Sequence, residues 1–428
     1  MKNAEVEIAE LAHSILSEPE EHLEKFKEFF GFGVSKISGQ ENVTLDLSVR
    51  KLALLSATAV LIDIFPSLLI VNDGAEEEEA TKLKKSSKEQ LGKVKRSKLV
   101  LEYFDQLLQK LNKLKVSRGV SALLNSCVCS KHSLDDRRLQ QLISVAVSLA
   151  TGGKDVFMAL RERIQRDLRS RAENLEIVRL IVQTVSRERS PERLNALVPL
   201  FEGLRFTAGS ISSSVKVGEK IDRQLARDLA AGSGEYVDAK RVKGEEAQIL
   251  SSIIALYVRI ARAAQSGQYG FAAMKTCIQG IAMNASSVNA DLALELETEL
   301  LAIARLYLGQ KAEKQTSGLL GAIALAALLN IAKGGNDRAE ILSSSVITGL
   351  ERLVPIALER LLTHSSSLSD FRAEETITLI CKGAISVASQ FGSDKALVSV
   401  AQALVSCLNM RFDDNICASS PFTLFAST

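Results

Sequence analysis

Apolar residues recur at intervals of three and four along most of the chain, and this spacing constrains the fold more than any other feature. Near the start it relates Ile8, Leu11 and Ile15. Such spacing gathers apolar side chains on one face of an α-helix. The period-two alternation of strands is almost absent from the sequence. Only 6 of 428 residues are proline, so long helices can run uninterrupted. The sequence therefore predicts an all-α fold.

The predicted helices are joined by short polar links, which is typical of α-solenoids and irregular bundles. No exact repeat period is present, so we expect an irregular solenoid resembling HEAT or armadillo arrays. The predicted regions are an N-terminal helical region, an acidic/basic segment with an amphipathic helix, a helical repeat region, a loop-rich linker, a C-terminal helical domain and a loose tail. Their bounds are 1–71, 72–118, 119–208, 209–244, 245–410 and 411–428.

Individual helices follow from the same spacing and from breaks at proline, glycine and polar clusters. Two short helices precede a third over 49–65, and the first of them ends near Ser17 because Pro19 suits a first helical turn. A clean amphipathic helix is predicted from Leu101 to Leu114. Later helices are predicted over 139–149, 156–168, 174–187, 191–204, 222–231, 245–264, 270–281, 290–307, 319–331, 339–361, 373–390 and 394–408.

The stretch VRKLALLSATAVLIDIFPS, residues 49–67, is apolar on almost every side. Its length would suit a membrane span. Asp63 within it would cost several kcal/mol in lipid, and Pro66 is expected to end the helix. We therefore predict a helix covered on several sides by other helices, and no transmembrane segment. The predicted core residues of this helix are Leu52, Leu55, Ala59 and Ile62.

Catalytic patterns are weak. The four histidines lie far from any matching carboxylate cluster, and no phosphate-binding glycine loop is present. The Gly-x-Gly pairs lack the preceding strand of a dinucleotide-binding fold. The sequence thus favours a protein that is not an enzyme and has no cofactor. Asn42 and Asn284 begin glycosylation patterns, which we interpret as chance matches.

The six cysteines are scattered along the chain, and only Cys127 and Cys129 are close together. A C-x-C pair alone cannot complete a tetrahedral zinc site. We interpret the cysteines as reduced, buried thiols of an intracellular protein, and we expect no metal site.

A basic run over 82–115 is the strongest candidate for a binding site. It holds eleven Lys or Arg against three acidic residues, a surplus of +8. Such a surplus attracts phosphate backbones. Three interpretations stay open: contact with nucleic acid, a nuclear import signal at Lys93-Val-Lys95-Arg96, or a solvated helix face. Few aromatic residues accompany the run, which favours backbone or shape recognition over base reading. The candidate residues are Lys82, Lys84, Lys85, Lys88, Lys93, Lys95, Arg96 and Lys98.

A second group of arginines occurs over 161–171. It is diluted by Glu162 and Asp167. We interpret it as an exposed helix face with internal ion pairs.

Several blocks of the first half resemble the nucleolar complex-associated protein 3 family. The blocks are IAELAHSILSEPE at 8–20, VRKLALLS at 49–56 and the turn at 64–66. The basic helix, NLEIVRLIVQTV and SPERLNALVPLFEGLRF extend the similarity to Phe206. The sequence after Pro66 departs from the family pattern. Members of that family are usually much longer, with a charged N-terminal extension, so the resemblance implies a reduced and divergent member.

The resemblance implies a non-enzymatic assembly factor located in the nucleus and nucleolus. Such a factor would act on pre-60S particles, the precursors of the large ribosomal subunit. Its implied partners are pre-rRNA and a second nucleolar complex protein that is itself helical. A role in DNA replication initiation is also associated with the family. An alternative function is that of a cytosolic HEAT-like transport or trafficking adaptor, which would share the fold and need no basic run.

Overall fold

The computed structural model describes most of the first two thirds of the chain. The described residues are 2–32, 46–68, 88–129, 134–170, 175–204, 206, 239–284, 290–309, 315–333, 353–354, 356–358, 380–382 and 398. Among them every regular element is a helix, which confirms the all-α prediction. The α-helices are α1 Lys2–Ser17, α2 Pro19–His22, α3 Phe26–Phe32, α4 Leu47–Leu68, α5 Lys88–Lys113, α6 Ser117–Cys129, α7 Asp136–Ala150, α8 Lys154–Ser170, α9 Leu175–Arg187, α10 Pro191–Leu197, α11 Ala239–Arg262, α12 Phe271–Met283, α13 Ala290–Gly309 and α14 Gln315–Lys333.

The chain divides into two compact units. The first comprises Met1–Ser170 and Glu176–Thr184, and the second comprises Arg171–Leu175 and Val185–Thr428. No helix among the described residues is long and apolar enough to cross a membrane.

Helix α4 is the centre of the first unit and packs against α1, α3, α5 and α6. An aromatic cluster holds α3 against α5. Within it the Phe26 and Tyr103 rings stack with their centroids 5.1 Å apart, and the Phe30 ring meets the Tyr103 ring edge-on. Aromatic pairs add to stability beyond the area that they bury. Burial raises the pKa of Tyr103 to about 12, and the charges of Glu24 and Glu102 contribute.

The predicted core face of α4 is wrong. Leu52 is 39% exposed, Ala59 is exposed, and Leu55 and Ile62 are only partly buried. A helix that is apolar on nearly all sides gives no directional signal, so either face satisfies the pattern. The structure buries the opposite face. Its residues are Val49, Ala53, Leu54, Ala57, Thr58, Val60, Leu61, Ile64, Phe65 and Leu68.

Pro66 does not end α4, which continues to Leu68. A proline costs a helix one backbone hydrogen bond and crowds the carbonyl four residues earlier. Here it lies in the last turn, where few hydrogen bonds follow it. Asp63 is exposed, so its charge stays in contact with water.

Helices α6, α7 and α8 complete the first unit by packing on one another. The sequence did not predict α6, whose serines and cysteines weaken the helical pattern. It approaches α5 closely at Gly119, where an added Cβ would lie 2.7 Å from Leu111 Cδ2. Glycine therefore sets the spacing of these two helices.

Arg163 was expected on an exposed face, and this expectation is wrong. Its side chain is 4% exposed and its Nε donates to Asp167 Oδ2 at 2.8 Å. The predicted internal ion pair exists, but it is buried. Burial is the dominant influence on the Asp167 pKa and raises it, while the hydrogen bond and charge of Arg163 oppose the shift. Arg169 is described only in its backbone, and Arg171 lies outside the described residues.

The second unit is built around α12, which contacts α10, α11 and α14. Gly280 of α12 lies against the Tyr257 ring so closely that an added Cβ would overlap it. Cys277 is fully buried and forms no disulfide, as predicted. Burial raises the pKa of its thiol. Cys381 is also buried. Cys127 and Cys129, which are neighbours in the sequence, are described only in their backbone.

Asn284 joins the end of α12 to the segment after α10. Its Oδ1 accepts from the Phe206 backbone at 3.1 Å, and its Nδ2 donates to the carbonyls of Leu204 and Gly280 at 3.3 and 2.9 Å. The side chain is 2% exposed. Its glycosylation pattern is therefore a chance match, as predicted. Asn42 lies outside the described residues.

Most predicted helix bounds agree with the structure to within a few residues. Ser190 and Pro191 show why, since the Ser190 hydroxyl accepts from the Arg193 backbone and caps the start of α10. The predicted helices over 222–231, 339–361, 373–390 and 394–408 lie wholly or mostly outside the described residues, as does the loose tail.

Candidate nucleic-acid interface

Most of the basic run lies on one long helix. Helix α5 begins at Lys88 and carries Lys93, Lys95, Arg96 and Lys98 in its first half. A continuous helix holds these positions at fixed spacing, with about 1.5 Å of rise per residue. Lys82, Lys84 and Lys85 lie outside the described residues, and Lys88 is described only in its backbone.

Three lysines of this half are exposed: Lys93, Lys95 and Lys98. No residue from Gly92 to Leu99 is fully buried, whereas Val100 and several residues after it are. Residues 92–99 of the helix thus contribute little to the core of the unit. Their positions place the three exposed lysines on more than one side of the helix. We call Lys93, Lys95 and Lys98 the exposed lysine group.

Arg96 is less exposed than Lys93, Lys95 and Lys98. Its Nη2 lies 3.1 Å from Glu20 Oε2, and its side chain is only 27% exposed. The pair links α5 to the short helix α2. Part of its charge is therefore compensated within the protein, and we assign Arg96 a positioning role as much as a binding one.

Asp105, one of the three acidic residues of the run, is neutralised from outside it. Arg138 of α7 donates through Nε and Nη2 to the Asp105 carboxylate at 3.0 to 3.1 Å. Arg138 also pairs with Asp135. The repulsion that Asp105 would exert on a polyanion is reduced by this contact. Sequence counting could not include it, because the two residues are 33 positions apart.

A second basic group lies at the other end of α5. Lys110 lies near Lys113 and near Arg50 of α4, and its Nζ is 5.4 Å from the centre of the Phe30 ring. Burial lowers the pKa of Lys110, and the positive charges of Lys113 and Arg50 lower it further. Lys98 and Lys110 are separated by about 18 Å along the helix axis. The structure thus adds Arg50 to the predicted basic surface.

The chemistry of this surface is electrostatic. Exposed ammonium groups on a rigid helix can neutralise phosphates along a backbone, but they carry no arrangement for covalent catalysis. Among the described residues no group of three or more His, Cys, Asp or Glu could hold a metal ion. The aromatic residues near the surface are engaged in the core, so base stacking is not supported.

Known proteins are similar to the part of the chain that includes the exposed lysine group. The model of a family described as "Nucleolar complex-associated protein" matches residues 3–103. Residues 3–103 are thus similar to this family. The resemblance inferred from the sequence is therefore confirmed. The matched part contains α1 to α4 and most of α5, including the exposed lysine group.

Individual relatives agree. The "Nucleolar complex protein 3 homolog" of Mus musculus is 32% identical over 127 residues, which is 28% of this chain and 15% of the relative. The protein of the same name from Xenopus laevis is 28% identical over 143 residues, or 30% of this chain and 17% of the relative. The matches thus span about a sixth of these relatives. Their names indicate the nucleolus, in agreement with the predicted location.

Proposed function

We propose that this chain is a non-enzymatic helical scaffold that acts in the nucleolus in assembly of the large ribosomal subunit. The observation that carries the proposal is the family match over residues 3–103, which includes the exposed lysine group on α5. An irregular solenoid suits the role, because stacked helices offer a long surface to several partners. The proposed partners are pre-rRNA in pre-60S particles and a second nucleolar complex protein.

The proposed nucleic-acid contacts are Lys82, Lys84, Lys85, Lys88, Lys93, Lys95 and Lys98, with Arg96 positioned by Glu20. Exposed lysines bind phosphates as point charges and read little sequence. We therefore propose recognition of the RNA backbone and shape. Neutralisation of Asp105 by Arg138 supports this, since it removes a repulsive charge from the same helix.

Affinity purification of the tagged chain, with identification of bound protein and RNA, tests the assignment. We expect large-subunit precursors and a second nucleolar complex protein. Recovery of cytosolic transport components without ribosomal precursors would overturn the proposal in favour of the adaptor function.

A nuclear import signal at 93–96 would also need these lysines, so the two roles must be separated. The variant Lys93→Ala/Lys95→Ala/Lys98→Ala is expressed with an independent import signal attached. We expect it to enter the nucleus and to recover less precursor RNA than the unchanged chain carrying the same signal. Equal recovery would mean that these lysines serve import only.

A further inference from the structure

The outward face of α4 carries an apolar stripe that is exposed at two of its four positions. Its residues are Leu52, Leu55, Ala59 and Ile62, at successive intervals of three, four and three. Leu52 is 39% exposed and Ala59 is exposed, whereas Leu55 and Ile62 are half-buried. This is the spacing by which one helix presents a seam to another. We call these four residues the α4 stripe.

The α4 stripe can pack against the same stripe of a second copy that runs in the opposite direction. If two copies of α4 run antiparallel about residue 57, Leu52 lies level with Ile62 of the second copy, and Leu55 lies level with Ala59. A large residue then meets a small one at the centre, which lets the helices approach closely. Each of these two contacts occurs twice, once on either side of residue 57, as in an interface with twofold symmetry.

The charges at the edges of the stripe distinguish the two possible orientations. Lys51 flanks its beginning, and the exposed Asp63 flanks its end. A parallel pair would bring two lysines together at one end and two aspartates together at the other. An antiparallel pair places one lysine and one aspartate at each end, which is attractive. Charge therefore favours the same orientation as packing.

We propose that the α4 stripe is the contact between two copies of this chain, which pair through α4 in antiparallel orientation. The inference goes beyond the proposed function and does not depend on RNA binding. One helix from each copy makes a contact smaller than the roughly 1,200 to 2,000 Å² of stable interfaces. The dimer is therefore weak and dissociates on dilution.

Sedimentation velocity of the full chain over a range of concentrations tests the pairing. We expect a reversible monomer–dimer equilibrium. Leu52→Glu should weaken association about tenfold or more, because it places a carboxylate in the apolar seam. Val6→Glu is the matched control, since Val6 is an exposed apolar residue, 55% accessible, on α1. It should leave association unchanged. A chain that stays monomeric at every concentration, or equal effects of both variants, would overturn the proposal.

A charge exchange tests the orientation without touching the seam. Lys51→Asp should weaken the dimer, and adding Asp63→Lys to the same chain should restore it. A double variant that associates no better than Lys51→Asp alone would contradict antiparallel pairing.

Cysteine cross-linking gives a geometric test. In the antiparallel pair the two Ser56 positions are about 3 Å apart along the axis, and the two Ser48 positions are about 27 Å apart. With a short bismaleimide, Ser56→Cys should cross-link to itself above the background of the unchanged chain, and Ser48→Cys should not. Cross-linking at Ser48 would indicate a parallel pair and overturn the proposal. A Ser56→Cys thiol that resists maleimide in the monomer would show that the chain itself covers the stripe, which would also overturn it.

Discussion

The Arg163 guanidinium and the Asp167 carboxylate form a buried ion pair one turn apart on α8, with Nε and Oδ2 at 2.8 Å. Both side chains are nearly inaccessible, at 4% and 2%. Removing charges from water costs several kcal/mol per ion, and the attraction between them repays this only in part. For Asp167 burial outweighs the arginine, since its pKa is raised. The two partners therefore respond differently to substitution.

Arg163→Met is expected to destabilise the first unit by about 3 to 5 kcal/mol, because it leaves a buried carboxylate without its arginine. Asp167→Asn is expected to cost no more than about 1 kcal/mol, because the amide oxygen still accepts from Arg163 and the buried negative charge is gone. Urea unfolding, monitored by circular dichroism, measures the loss of unfolding free energy in each variant. The double variant Arg163→Met/Asp167→Leu is the control and should be more stable than Arg163→Met. Equal losses in the two single variants would contradict the account.

The raised pKa of Asp167 predicts a pH dependence of stability. The folded chain binds this proton more tightly than the unfolded chain does, so the contribution of Asp167 is fully present below its ordinary value of 3.8. It is lost as pH rises through the folded pKa. The unfolding free energy of the natural chain, relative to Asp167→Asn, should therefore fall as pH rises above 3.8. A difference that grows with pH would have the wrong sign.

Asn284 predicts a specific cost in the second unit. Asn284→Asp preserves shape but cannot donate to the carbonyls of Leu204 and Gly280 when ionised. We expect a loss of about 1 to 3 kcal/mol or more at neutral pH, since buried acceptors and a buried charge are left unsatisfied. Thermal unfolding of the two chains provides the measurement. Asn195→Asp is the matched control, because Asn195 also bridges two backbone groups but is more accessible. Asn195→Asp should lower the unfolding free energy less than Asn284→Asp does.

Helix content and most helix ends could be predicted from local signals. The cap at Ser190 and the break before Pro19 act within a few residues, so the sequence records them directly. The family resemblance was also readable, because VRKLALLS lies within the matched residues 3–103.

The sequence could not predict which side of α4 is buried, or that the Arg163 side chain is buried. An all-round apolar helix does not indicate which side its neighbours cover, and arginine usually indicates solvent. Contacts between residues far apart in the sequence could not be predicted either. The approach of Arg50 to Lys110 and the ion pair of Asp105 with Arg138 arise from tertiary packing, which no local spacing encodes.

The salt dependence of RNA binding tests the role of the exposed lysine group most directly. Binding of the purified chain to a structured pre-rRNA hairpin, and to an unrelated hairpin, is measured by fluorescence anisotropy at several salt concentrations. The variant Lys93→Ala/Lys95→Ala/Lys98→Ala is compared with Lys27→Ala/Lys154→Ala/Lys382→Ala, which removes three exposed lysines outside the basic run.

We predict that the first variant binds both hairpins more weakly and that its log–log salt slope falls by about 2 to 3, since each phosphate contact contributes about 0.7 to 0.9. The control variant should behave like the natural chain. Unchanged affinity and slope in the first variant would contradict the assignment of the exposed lysine group to RNA.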